Sequence, residues 1–151
     1  MTIEAQVETT IGRVPIDVFG ALTAIERFPE WLIASGIVKV ERLDAEPLVA
    51  GSRVRIQQRV GGRATTLDGS ITALDPGRSF GLRGRDADGV TIEIDATLTP
   101  DGASTRLRWS LRIDLPLRFR MFEAMVAPQA RRAATLDLEA FRRRVEATAG
   151  A

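Results

Sequence analysis

Through most of this chain apolar and polar residues alternate with a period of two, the pattern of strands buried on one face. "IEAQVETTI" puts Ile3, Ala5, Val7 and Ile11 on one side, against Glu4, Gln6 and Glu8 on the other. The same alternation runs through "IVKVERL" (Val38 and Val40 inward), "RVRIQQRV" (Val54, Ile56, Val60) and "TLDGSITA" (Leu67, Ile71, Ala73). It continues in "SFGLRGR" (Phe80, Leu82), "VTIEIDATL" (Ile92, Ile94, Ala96, Leu98) and "TRLRWSLRID" (Leu107, Trp109, Leu111, Ile113). Seven strands are therefore expected. Gly61-Gly62, Asp75-Pro76-Gly77, Asp88-Gly89 and Pro100-Asp101-Gly102 supply turn chemistry between the later ones. Connections this short join antiparallel neighbours.

Charges on the outward faces order the sheet. From the third strand to the seventh the rows run basic (Arg53, Arg55, Arg59), acidic (Asp68), basic (Arg83, Arg85), acidic (Glu93, Asp95) and basic (Arg106, Arg108, Arg112). In a meander each row lies beside its opposite, which favours cross-strand pairing by about 0.2–1 kcal/mol per pair. Glu4 and Glu8 of the first strand need a basic neighbour, and the last strand offers one. The expected order is 2-3-4-5-6-7-1.

Two regions read as helix. In "VPIDVFGALTAIERFPEWLI" Gly20 and Pro29 divide the pattern into two short helices between the first and second strands. After Pro116, residues Phe122, Val126, Ala130, Ala134, Leu138, Phe141 and Val145 recur at steps of four and three, a helical stripe. From Leu117 to Ala147 that helix would run about 45 Å, with a kink expected at Pro128. Arg142, Arg143 and Arg144 fall in its last turns, where cations complement the helix dipole.

Composition narrows the chemistry. The 151 residues suit a single domain, 1–151, with a real core. A net charge of +1 gives no bulk case for binding nucleic acid or an anionic membrane. The sequence has no cysteine, histidine or tyrosine, which removes disulfides, thiolate metal sites and the usual neutral-pH general base. No metal or cofactor is expected. No stretch reaches the roughly 18 apolar residues of a membrane span, and "MTIEAQVETT" lacks the layout of a signal peptide. A cytoplasmic protein without integral membrane association is expected.

The stretch "IERFPEWLIAS" spends Phe28 and Trp31 on a segment too broken for a long helix. "RFPEWL" here, "VAGSRVRI" opening the third strand, and "DLPLRFRMFEAMV" followed by "DLEAFRRRVE" at the end together resemble the START-like, or SRPBCC, superfamily. They resemble in particular its polyketide cyclase/dehydrase-type branch, whose motifs are shared by lipid carriers, coenzyme-Q-binding proteins and aromatase/cyclases. The resemblance implies an α+β helix-grip fold. In that fold a curved seven-stranded antiparallel sheet closes around the long C-terminal helix and leaves a cavity for an apolar ligand.

Small residues at inward positions (Ala5, Gly69, Ala73, Gly84, Ala96) and on the helix (Ala127, Ala130, Ala133, Ala134) either let the elements approach closely or leave space. The space reading gives a ligand site lined by Phe28, Trp31, Val54, Ile56, Leu67, Ile92, Trp109, Phe122, Met125, Val126 and Gln129, with Gln58 as polar anchor. The other reading makes the aromatics plain core. A binding protein for a lipid, isoprenoid or polyketide-like molecule is the first functional expectation. An aromatase/cyclase is the alternative, and its proton transfer and enolate stabilisation would fall to Arg42, Gln58 and a carboxylate such as Glu30 or Glu123. A protein-interaction module would have to use Arg131-Arg132 and the Arg142–Arg144 cluster.

Overall fold

The computed structural model describes residues 2–148, so Met1 and 149–151 of the expected domain lie outside the described residues. The order of elements is β1 (Thr2–Ile11), α1 (Pro15–Thr23), a 3₁₀ helix (Ile25–Glu30), β2 (Ile37–Arg42), β3 (Arg53–Val60), β4 (Arg63–Asp75), β5 (Ser79–Arg85), β6 (Thr91–Asp101), β7 (Ser104–Asp114), a second 3₁₀ helix (Leu117–Phe122) and α2 (Glu123–Ala147). The strands form one antiparallel sheet in the order β1-β7-β6-β5-β4-β3-β2, as the alternating charge rows predict. Glu4 and Glu93 flank Arg112 from both sides. Arg108 lies opposite Glu8 on β1 but opposite Thr97 on β6, and Arg106 has Thr10 and Thr99 as neighbours. The ion pairs span 3.9 Å for Arg112–Glu4, 3.6 Å for Arg108–Glu8 and 3.1 Å for Arg55–Asp68.

Two irregularities correct the simple alternation. The β2–β3 register slips between Ile37 and Lys39, so Val38 turns outward and is 56% exposed, while Val40 stays buried. The β4–β5 register slips between Ile71 and Ala73. Ala73 then pairs with Gly81 on the outer side, and Leu74 takes the inward place opposite Phe80. In each case one extra residue reverses the alternation on one side of the slip. Val60 is exposed because it sits at the tip of the β3–β4 hairpin, where Gly61 and Gly62 take positive φ of 59° and 80°.

Gly69 of β4 pairs with Gly84 of β5. A Cβ on Gly69 would stand 2.2 Å from the Arg83 carbonyl oxygen, so glycine permits an approach that no side chain could share. Between these strands the small residues serve close contact.

The stretch expected as one helix from Leu117 begins as 3₁₀ through Phe122 and becomes α at Glu123, with Pro128 inside α2. Along α2 the buried residues are Ala130, Ala134, Asp137, Leu138, Phe141 and Val145. Contacts from Arg131 onward hold this helix down. Arg131 Nε lies 3.5 Å from the Glu4 carbonyl, Arg144 bonds Glu30 at 2.6 Å, and the Gly12 N–H donates to Glu146 at 2.8 Å.

Candidate functional site

The "IERFPEW" stretch owes its geometry to the 3₁₀ helix. Side chains three apart eclipse in that helix, so Phe28 and Trp31 project to the same side. The Trp31 and Leu32 N–H groups both donate to the Phe28 carbonyl, at 3.1 and 2.7 Å. Phe28 and Trp31 meet edge to face at 5.5 Å. Trp31 continues to Trp109 of β7 at 5.5 Å and to Phe141 of α2 at 4.7 Å, and Phe28 continues to Phe80 of β5 at 6.2 Å. All five rings are buried. They join the first 3₁₀ helix, the sheet and α2 in one aromatic cluster, each edge-on pair adding about 0.5–1.5 kcal/mol beyond its burial.

Asp137 clamps the chain just past that cluster. Its two carboxylate oxygens accept the Ala34 N–H at 2.8 Å and the Ser35 N–H at 3.0 Å, and the residue is 2% exposed. Burial pushes the Asp137 carboxyl above its ordinary value, and the bonds from Ser35 and Ala34 offset part of that rise. Sequence reading missed Asp137. The signal was present, since three residues after Ala134 and four before Phe141 is a position on the buried stripe.

The remaining expected site residues divide into two groups. Val54, Ile56 and Leu67 are buried in the same core as the aromatics. Gln58 is half-buried and donates through Nε2 to the Ser35 carbonyl at 2.9 Å, which leaves its amide oxygen to accept. At the other end of the helix-facing surface, cover is incomplete. Ile92 and Ile113 pair across β6 and β7, as do Ile94 and Leu111, and all four are only half-buried. The second 3₁₀ helix starts three residues after β7 ends, so the first turns of α2 belong to this same end. There Val126 is half-buried, Gln129 is exposed, and Phe122 and Met125 are 44% and 60% exposed.

The polar candidates do not converge. Arg42 is ion-paired with Glu26, Glu30 with Arg144, and half-buried Glu123 opens α2. Two depressions form elsewhere. One, of about 340 Å³, lies along Asp68–Ser70 and Arg83–Arg85, and the other, of about 650 Å³, lies among Pro15, Ile16, Gly77, Arg78 and Leu98. None of the expected ligand-lining residues borders either. Among the described residues no group of acidic side chains could hold a metal ion, and no helix is long and apolar enough to cross a membrane.

A family model described as polyketide cyclase / dehydrase and lipid transport matches residues 2–146. No curated protein matches in sequence. Among solved structures, a protein of Thermus thermophilus superposes with a TM-score of 0.78 at 18% identity, covering 96% of this chain and 98% of that one. The Zhui aromatase/cyclase of a Streptomyces species gives 0.77 at 17% identity over 97% and 94%. A START superfamily protein of Mycobacterium smegmatis gives 0.76 at 15% identity over 97% and 99%. At these identities the likeness is one of fold.

Proposed function

The chain belongs to the START-like polyketide cyclase/dehydrase and lipid transport family, and from that premise we propose that it binds a small hydrophobic molecule between the sheet and α2. A lipid, an isoprenoid or a polyketide-like compound has the required chemistry. One observation carries the proposal. Apolar surface at one end of the fold is only partly covered by protein on two elements at once: on the sheet at Ile92, Ile94, Leu111 and Ile113, and on the helical segment at Phe122, Met125 and Val126. Covering it with an apolar ligand is favourable by roughly 25 cal/mol per Å² removed from water. The aromatic cluster of Phe28, Trp31 and Trp109, with Val54, Ile56 and Leu67, then forms the firm inner end of the site. The free amide oxygen of Gln58 offers an anchor to a ligand hydroxyl, and Gln129 stands at the open side.

The aromatase/cyclase reading has less support. A cyclisation needs an acid or base within hydrogen-bond reach of a substrate carbonyl. Arg42 and Glu30 are engaged in ion pairs, which leaves Glu123 to do that work. The test is native mass spectrometry of the purified protein, followed by extraction and identification of what it retains. A retained apolar molecule whose release changes Trp31 or Trp109 fluorescence is the expected result. A protein that stays empty when offered fatty acids, isoprenoid quinones and polyketide-like aromatics would refute the proposal.

A further inference from the structure

The segment from Leu117 to Gln129 is rich in large apolar residues, yet none of them is buried. Leu117 is 79% exposed, Met121 80% and Met125 60%. Ordinary surface helices turn such residues inward. The polar residues among and just after them are mostly of one sign. Arg118, Arg120, Arg131 and Arg132 are all exposed, against the single carboxylate of Glu123. Within this stretch the arginines outnumber the carboxylate, although the chain as a whole carries only +1. Arg118 lies 4.8 Å over the Phe119 ring and donates to the Asp88 carbonyl, which ties the segment to the β5–β6 loop. Exposed apolar side chains interleaved with arginines on a helical segment have the composition of a segment lying at a lipid interface. There Leu117 and Met121 enter the acyl boundary and the guanidinium groups meet anionic headgroups.

We infer that the Leu117–Gln129 segment is a peripheral docking face for an anionic lipid bilayer. The charge complementarity and the uncovered apolar residues favour a membrane over a soluble partner, because an acidic protein would need the arginines but not a row of protruding apolar side chains. The inference goes beyond ligand binding and does not rest on it. Leu117 and Met121 are not among the residues proposed to touch the ligand, so either property can fail while the other survives.

Sedimentation of the full chain with vesicles reads it directly. Phosphatidylcholine vesicles containing phosphatidylglycerol should carry the protein down, phosphatidylcholine alone should not, and high salt should weaken the association. Leu117→Asp combined with Met121→Asp should lower binding at least about tenfold with unchanged thermal unfolding, since both side chains already stand in solvent. Ile16→Asp, an exposed site at the opposite end of the sheet, should bind like the parent. Absence of anionic-vesicle binding, binding unaltered in the double variant, or equal loss in Ile16→Asp would each overturn the inference. Association with polyglutamate but not with vesicles would also overturn it, and would assign the face to an acidic protein.

Discussion

Asp137 stands on a helix stripe otherwise made of Ala130, Ala134, Leu138, Phe141 and Val145, and its two bonds to Ala34 and Ser35 hold the chain beyond Trp31 against α2. Burial raises its carboxyl above the ordinary 3.8 despite those bonds. The native state therefore holds this proton more tightly than the unfolded chain does. The resulting stabilisation is fully present below 3.8 and is lost as pH rises through the native value. Asn has no such titration, and its amide oxygen can still accept one of the two N–H groups. Urea titrations across pH should then find the parent at its most stable relative to Asp137→Asn in acid, with that advantage shrinking toward neutrality. A difference that stays flat with pH would mean that Asp137 titrates as it does in the unfolded chain.

At the level of elements, two glycines outside the turns separate close approach from open space. Gly69 meets the β5 backbone so closely that Ala there must push the strands apart, at a cost of about 1–3 kcal/mol. Gly20, inside α1, has nothing within 4 Å of its would-be Cβ. Gly20→Ala should stabilise the protein by about 0.5–1 kcal/mol through helix propensity alone. Chemical denaturation checks both signs, and a stabilising Gly69→Ala would mean that the strands have room there. The same elements show what the sequence disclosed. Strand order was legible because charge alternates row by row and turns are short. The bulges at Val38 and Thr72 were not, because a one-residue slip leaves composition and local alternation almost unchanged. The 3₁₀ start after Pro116 escaped notice because apolar residues at steps of four suit an α-helix equally well. For the site, the inward residues of the strands could be read from period two. The exposure of Phe122 and Met125 could not, since a helical stripe specifies a shared face but not what covers it.

On the scale of the whole molecule, α2 is fastened along its C-terminal half and free of buried contacts before Ala130. Asp137, Arg144 and Glu146 tie it to three different segments, while the turns before Ala130 and the end of the sheet bearing Ile92 and Ile113 leave apolar surface uncovered. Ala130 marks the boundary between the two halves. If the uncovered end is a ligand site, occupancy must stabilise the native state, because the unfolded chain offers no such site. The gain follows the free-ligand concentration, about 2.7 kcal/mol at a hundredfold excess over Kd. Protein stripped of its ligand and then resupplied should therefore regain unfolding free energy in a saturating, concentration-dependent way. Ala130→Phe should place a ring at the boundary and fill the adjoining space. Its unfolding free energy without ligand should stay near that of the stripped parent, and adding ligand should no longer raise it. If the interior at Ala130 is already full, the same ring costs about 1–3 kcal/mol by overpacking. The stripped variant would then melt well below the stripped parent, and a site bounded by Ala130 would be ruled out.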